Sequence, residues 1–171
     1  MAISEMNDEG RRQLKVIDLE GKETPRVVAK FSKLHVNWFD WVDDNWIVFN
    51  TFDENDKSTR QSGAGLAAVA RDGKRIRELV KKQWQRDINF TAGQALDPNN
   101  YLVAYGPAGS NEIVVEEIHY ETTGWEFSHS FLRVQNIATG GVRSMFADRP
   151  APPGKITGWT FDRMGQPRVA Y

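Results

Sequence analysis

Two hairpin phrases alternate along the chain, and this alternation limits the fold more than any single residue. The first phrase is an aromatic-rich strand, a polar turn and an apolar strand: "WFDWVDDNWIVF", "QALDPNNYLVAY" and "GWTFDRMGQPRVAY". The second has Leu, then Val two or three places on, Asp or Asn, a Gly turn and another strand: "LKVIDLEGKETPRVV", "LAAVARDGKRIREL" and "LRVQNIATGGVRSM". Each phrase occurs three times, at a period of roughly 50–65 residues, the scale of a four-stranded propeller blade. A blade has two apolar faces and buries them only by stacking on its neighbours.

The expected fold is therefore all-β: a partial β-propeller of four-stranded antiparallel blades. The chain opens on the second phrase and closes on the first. In blade language residues 11–171 supply an outer hairpin, two full blades and an inner hairpin, about three blade equivalents against the four or more of a closed ring. Residues 1–10 are expected to lie outside the fold as a disordered or extraneous N-terminus. The competing architecture is a β-sandwich, which also spaces strands at about 8–12 residues but does not require two alternating hairpin types.

Local signals agree. Asp72-Gly73 between alternating apolar residues marks a hairpin tip, as do Asp97-Pro98-Asn99-Asn100 and Thr139-Gly140-Gly141. "RIRELVKKQW" fits a helical face as well as a strand. The Gly73 turn favours the strand, because its return strand needs a partner. Residues from about 107 to 128 read as a long insertion outside the repeat, and insertions of this kind project from one face of a propeller.

Composition narrows the functional classes. The net charge of −1 gives no reason to expect a nucleic-acid partner. The basic cluster Lys81, Lys82 and Arg86 has acids nearby. There is no cysteine, hence no disulfide, thiolate nucleophile or cysteine-type zinc site. No apolar run approaches the roughly 18 residues of a membrane span. "MAISEMNDEGRRQ" has no apolar core of a signal peptide. Localisation is left as periplasmic or cytoplasmic, with any signal lying upstream.

The polar residues offer little direct chemistry. G-x-S-x-G, the strained elbow that exposes a hydrolase serine, does not occur; Ser62 and Ser110 sit in Gly-rich loops. There is no P-loop and no G-x-G-x-x-G. His119 lies among Glu116, Glu117 and Glu121, but the spacing matches no standard metal motif. Asp40, Asp43 and Asp44 are explained by a hairpin turn. No catalytic residue, cofactor or metal ligand is assigned. Trp41, Trp46 and Trp159 sit in strand phrases and read as core. Trp125 lies in the insertion with Phe127 beside it, and these are the aromatics chosen for a partner or substrate surface.

The phrases "LHVNWFDWVDDNWIVFNT", "GLAAVARDGKRIREL", "FLRVQNIATGGVRSM" and "GWTFDRMGQPRVAY" together resemble the N-terminal β-propeller of bacterial prolyl oligopeptidase-family serine peptidases, the dipeptidyl aminopeptidase/acylaminoacyl peptidase-like proteins. The family's W-x-x-D-x-x-G-x-x-R phrase is met by Trp159, Asp162, Gly165 and Arg168. Its Leu-x-x-Val-x-x-Asp/Thr-Gly phrase is met by Leu66, Val69, Asp72 and Gly73. The resemblance covers most of residues 11–171. It implies a parent serine peptidase whose C-terminal α/β-hydrolase domain, absent here, carries the catalytic triad. The propeller would gate that site and admit only short peptides. Glu116-Glu117 is similar to an acidic pair that some members use to hold a substrate amino terminus, without the aromatic context of that motif. The alternative function is a stand-alone TolB-like propeller module binding a protein or glycan. The strand order also implies two incomplete blades, which two chains could exchange to complete a six-blade homodimer.

Overall fold

A computed structural model describes residues 1–55, 65–82, 95–121, 126–147 and 154–171. These residues form strands and turns and no helix. Their thirteen strands are β1 (Ala2–Met6), β2 (Arg12–Val16), β3 (Arg26–Ala29), β4 (His35–Trp41), β5 (Trp46–Phe52), β6 (Leu66–Ala70), β7 (Ile76–Val80), β8 (Asn100–Tyr105), β9 (Glu112–Tyr120), β10 (Phe127–Asn136), β11 (Val142–Ser144), β12 (Trp159–Phe161) and β13 (Pro167–Ala170). They make four antiparallel sheets ordered β1-β2-β3, β4-β5-β6-β7, β8-β9-β10-β11 and β12-β13. Two consecutive four-stranded meanders flanked by smaller sheets form a partial propeller-like, all-β fold.

The period of two along β5 and β6 explains the stacking. Trp46 and Val48 of β5, with Leu66, Ala68 and Ala70 of β6, join a core that contains Ile113 and Val115 of β9. The intervening Ile47 and Phe49, with Ala67 and Val69, join a second core containing Leu14, Val16, Val28 and Ala29 of β2 and β3. Alternate side chains of one strand thus enter different inter-sheet layers. All five residues of β6 are buried. A strand apolar at every position requires cover on both faces, and the central sheet has it. Full burial of a side chain such as Ile47 or Phe49 contributes ~1.5–3 kcal/mol.

Polar ties fasten the two blades. Tyr105 Oη donates to Asp40 Oδ2 at 2.8 Å. Gln135 Nε2 donates to Leu79 O at 3.3 Å, and Arg77 donates to Ala138 O at 3.3 Å. On the other side His35, buried and stacked 4.8 Å from Phe52, receives the Arg12 N–H at 3.3 Å, which joins β2 to β4.

The expected hairpins at Asp72-Gly73, Thr139–Gly141 and 158–171 are present, and Ile76–Val80 is a strand. Gly73 takes φ +73° in its turn, a conformation that costs other residues about 1 kcal/mol or more. Three expectations require correction. Residues 1–10 are not outside the fold: Ala2–Met6 pairs along the full length of β2, and Ala2 packs against the core that holds Leu14 and Val16. β1 therefore occupies the edge of β2 that an exchanged hairpin would need. "QALDPNNYLVAY" is not strand–turn–strand; only Asn100–Tyr105 is a strand, and Leu96 makes a single parallel bridge to Val80. The stretch 107–128 is not an insertion outside the repeat. Most of its described residues belong to β9 and the start of β10, the two central strands of the second blade. Ile113, Val114 and Val115 are buried there, and the acidic residues that follow them in sequence concealed the strand.

Candidate binding surface

The β9–β10 hairpin has the two longest strands of the protein as described, nine and ten residues. Its open end, remote from the connecting turn, packs into the inter-blade core through Ile113 and Val115. The half that leads into the turn, distal to that core, carries polar and aromatic side chains on both faces. The register pairs Glu117 with Phe131 and His119 with His129, with a bulge between Phe127 and His129. Directly paired residues share a face, so Glu117, His119, His129, Phe131 and Arg133 form one surface.

Within it the His119 and His129 rings stack at 4.8 Å with an interplanar angle of 1°. Phe131, nearly half exposed, meets both rings edge-on at 5.4 and 4.9 Å. Glu117 ion-pairs with Arg133, and its other oxygen lies 3.0 Å from His119 Nε2 without hydrogen-bond alignment. The result is an aromatic platform with one carboxylate and one guanidinium at its edge, suited to stacking and to exchanged ion pairs.

Glu116 turns to the opposite face, as neighbouring strand residues must. Its Oε1 accepts from Ser130 Oγ at 2.6 Å, and Ser130 Oγ accepts from Trp159 Nε1 at 3.1 Å. Phe146 stacks on Trp159 at 5.3 Å. This chain of bonds joins β9, β10 and β12. Glu116 and Glu117 therefore do not form a joint carboxylate site, and they cannot hold one amino group between them. The acids around His119 diverge likewise: Glu121 accepts from Lys155 Nζ at 2.6 Å, and this bond, with one from Ser128, lowers its pKa. Among the described residues no group of three His, Asp or Glu is arranged to hold a metal ion.

Phe127 opens β10, paired with Tyr120, and is 39 % exposed. Trp125, its expected companion, lies outside the described residues. Ser128 Oγ sits 3.0 Å from His129 Nδ1, but Ser128 and Ser130 are both buried, so a substrate carbonyl does not reach either hydroxyl. Of the tryptophans placed in the core, Trp46 is buried, whereas Trp41 and Trp159 are half-buried.

A second concavity lies between the sheet-edge strands β4 and β8. It is a cleft of about 440 Å³, walled by Trp38 and Tyr101 and floored by Leu66 and Leu102, with Asn50 and Asn100 as polar groups. Tyr105 closes one side through its bond to Asp40. Burial first, and then that carboxylate, push the Tyr105 phenol pKa up, so it remains a donor. Tyr101, His129, Phe131 and Arg133 are not singled out by the sequence. The alternation of "FSHSFLRV" carries the signal for the last three, but the insertion reads as ending at Ser128, and Phe131 and Arg133 read only as part of the repeat hairpin that follows.

The closing hairpin is built around Asp162. One oxygen accepts from Met164 N at 2.8 Å and Gln166 N at 2.9 Å; the other accepts from Arg168 Nε at 2.8 Å. Gly165, at φ +70°, lies against Tyr105 O of the second blade, so close that a Cβ there would stand 1.9 Å from that oxygen. Trp159, Asp162, Gly165 and Arg168 thus act together: packing, turn cap, close approach and charge partner. Comparison of the chain with protein-family models, curated proteins and solved structures finds no match.

Proposed function

We propose that this chain is the non-catalytic β-propeller segment of a prolyl oligopeptidase-like serine peptidase, and that it gates the access of short peptides to an α/β-hydrolase domain outside the chain. The observation that carries the reading is the closing hairpin. The four residues of the W-x-x-D-x-x-G-x-x-R phrase take four distinct and complementary structural parts there. The successive four-stranded meanders support it as well. The cleft between β4 and β8 offers aromatic walls and side-chain amides, a lining suited to an extended peptide of a few residues.

The test is the reading frame beyond the Tyr171 codon. Continuation into a segment containing G-x-S-x-G is the expected result; a stop codon overturns the proposal. With the whole product in hand, hydrolysis of peptidyl-nitroanilides but not of folded proteins is expected. The platform of half-buried His119 and His129 with exposed Phe131 favours a second reading, a TolB-like propeller module that docks a protein or glycan partner. That reading is the one left standing if the frame stops.

A further inference from the structure

A polar cleft of about 250 Å³ lies where the β2–β3 loop meets the β4–β5 and β6–β7 turns. Arg26, Arg71 and Arg75 line it together with Asp18, Glu23 and Asp72. The formal charges balance, but the bonds do not. Among the described residues none of the three guanidinium groups bonds to a side-chain carboxylate. Arg26 makes only a 3.5 Å contact to Asp72 O. Arg75 stands 4.9 Å over the Trp46 ring, which fixes its position without satisfying its N–H groups.

Two of the three acids have backbone partners of their own. Asp18 accepts the backbone N–H groups of Glu20, Lys22 and Glu23 at 3.1, 2.8 and 3.1 Å, and so holds its own loop. Asp72 Oδ1 caps Lys74 N at 2.9 Å. The cleft therefore presents three planar donor forks with no carboxylate bonded to them, and such forks match the two oxygens of a carboxylate or phosphate.

We infer that the cleft of Arg26, Arg71 and Arg75 binds an oxyanion, the carboxylate or phosphate group of a small ligand. Arg71 is the central donor: its neighbours are steadied by Trp46 and Asp72 O, whereas its own guanidinium has the Asp18 charge nearby but no hydrogen bond to it. This binding requires nothing of the peptidase reading.

The experiment titrates the full chain with inorganic phosphate, with N-acetylglycine and with neutral N-acetylglycinamide, following the backbone amides of Asn45, Ala70 and Arg71 by NMR. Saturable shifts from at least one anion and none from the amide are expected, and the tighter anion identifies the source. Arg71→Gln and Arg75→Gln should each weaken that anion at least tenfold, with an unchanged amide spectrum elsewhere showing that the fold is intact. No saturable shift from either anion overturns the inference. So do equal shifts from the neutral amide, or a Kd within twofold of the parent in both variants.

Discussion

Gly165 is the residue where sequence, turn and packing meet most tightly. Its φ of +70° disfavours any side chain, and a Cβ would be driven into Tyr105 O. Gly165→Ala is expected to cost about 2–4 kcal/mol, combining backbone strain with a steric shift between the hairpin and the second blade; urea unfolding measures it. Trp159→Phe keeps the ring on Phe146 but loses the bond to Ser130, and should cost about 1 kcal/mol. Asp162 gives the same hairpin a pH dependence. The Gln166 N–H first, then Arg168 and the Met164 N–H, hold its carboxyl below the ordinary aspartate range. A group depressed in the folded state contributes stability that is present above its unfolded pKa, about 3.9, and is lost as pH falls through the folded value. The β12–β13 cross-strand signals should accordingly hold at pH 5–7 and fade below about 4, whereas Asp162→Asn should remove that acid dependence. An unchanged acid profile in the variant would assign the effect to other carboxylates.

At the scale of the element, β5 and β6 show why the blades were legible and β9 shows why one was misread. "NWIVFN" and "LAAVA" are apolar at consecutive positions, so both faces demand cover, and the sequence alone calls for a sheet buried between sheets. β9 changes character midway. Its first half is "IVV", buried; its second half, "EEIHY", leaves the core and takes part in polar contacts on two faces. Charge in the distal half disguised the strand as an insertion. β1 was missed for a related reason: "AISEM" is short and half-buried, and its place follows from the β2 edge it covers. The alternation in β5 makes a quantitative prediction. Ile47→Ala and Val48→Ala should each cost about 1–4 kcal/mol. They are adjacent in sequence, yet they occupy different cores. Their effects should therefore add within about 0.5 kcal/mol, as for independent sites. A coupling well above that value in a denaturation cycle would mean that they share one core.

For the molecule as a whole, the β4–β7 sheet has its own apolar core and polar ties on each face, and the closing hairpin meets the second blade through Trp159 and Gly165. The candidate surface was only partly legible at this scale. Phe127 and Glu117 reach the distal end of the long hairpin, but the stacked histidines beside Glu117 depend on the β9–β10 register, and no spacing in the sequence reveals that. The assembly prediction rests on β1. While it covers β2, the edge used in blade exchange is closed and the full chain should scatter light as a monomer. Removal of residues 1–8 should open the edge and raise the dimer fraction. A truncated chain that stays monomeric at high concentration would show that β1 is not the guard. The central claim, a β4–β7 blade covered on both faces by its neighbours in the chain, is tested most directly by methyl NOEs in the full-length protein. Val48 should show NOEs to the methyl groups of β9, and Ile47 to those of β2 and β3, in the same sample. Cross-peaks from both residues to a single sheet, or an Ile47 methyl that contacts only solvent, would contradict the stack.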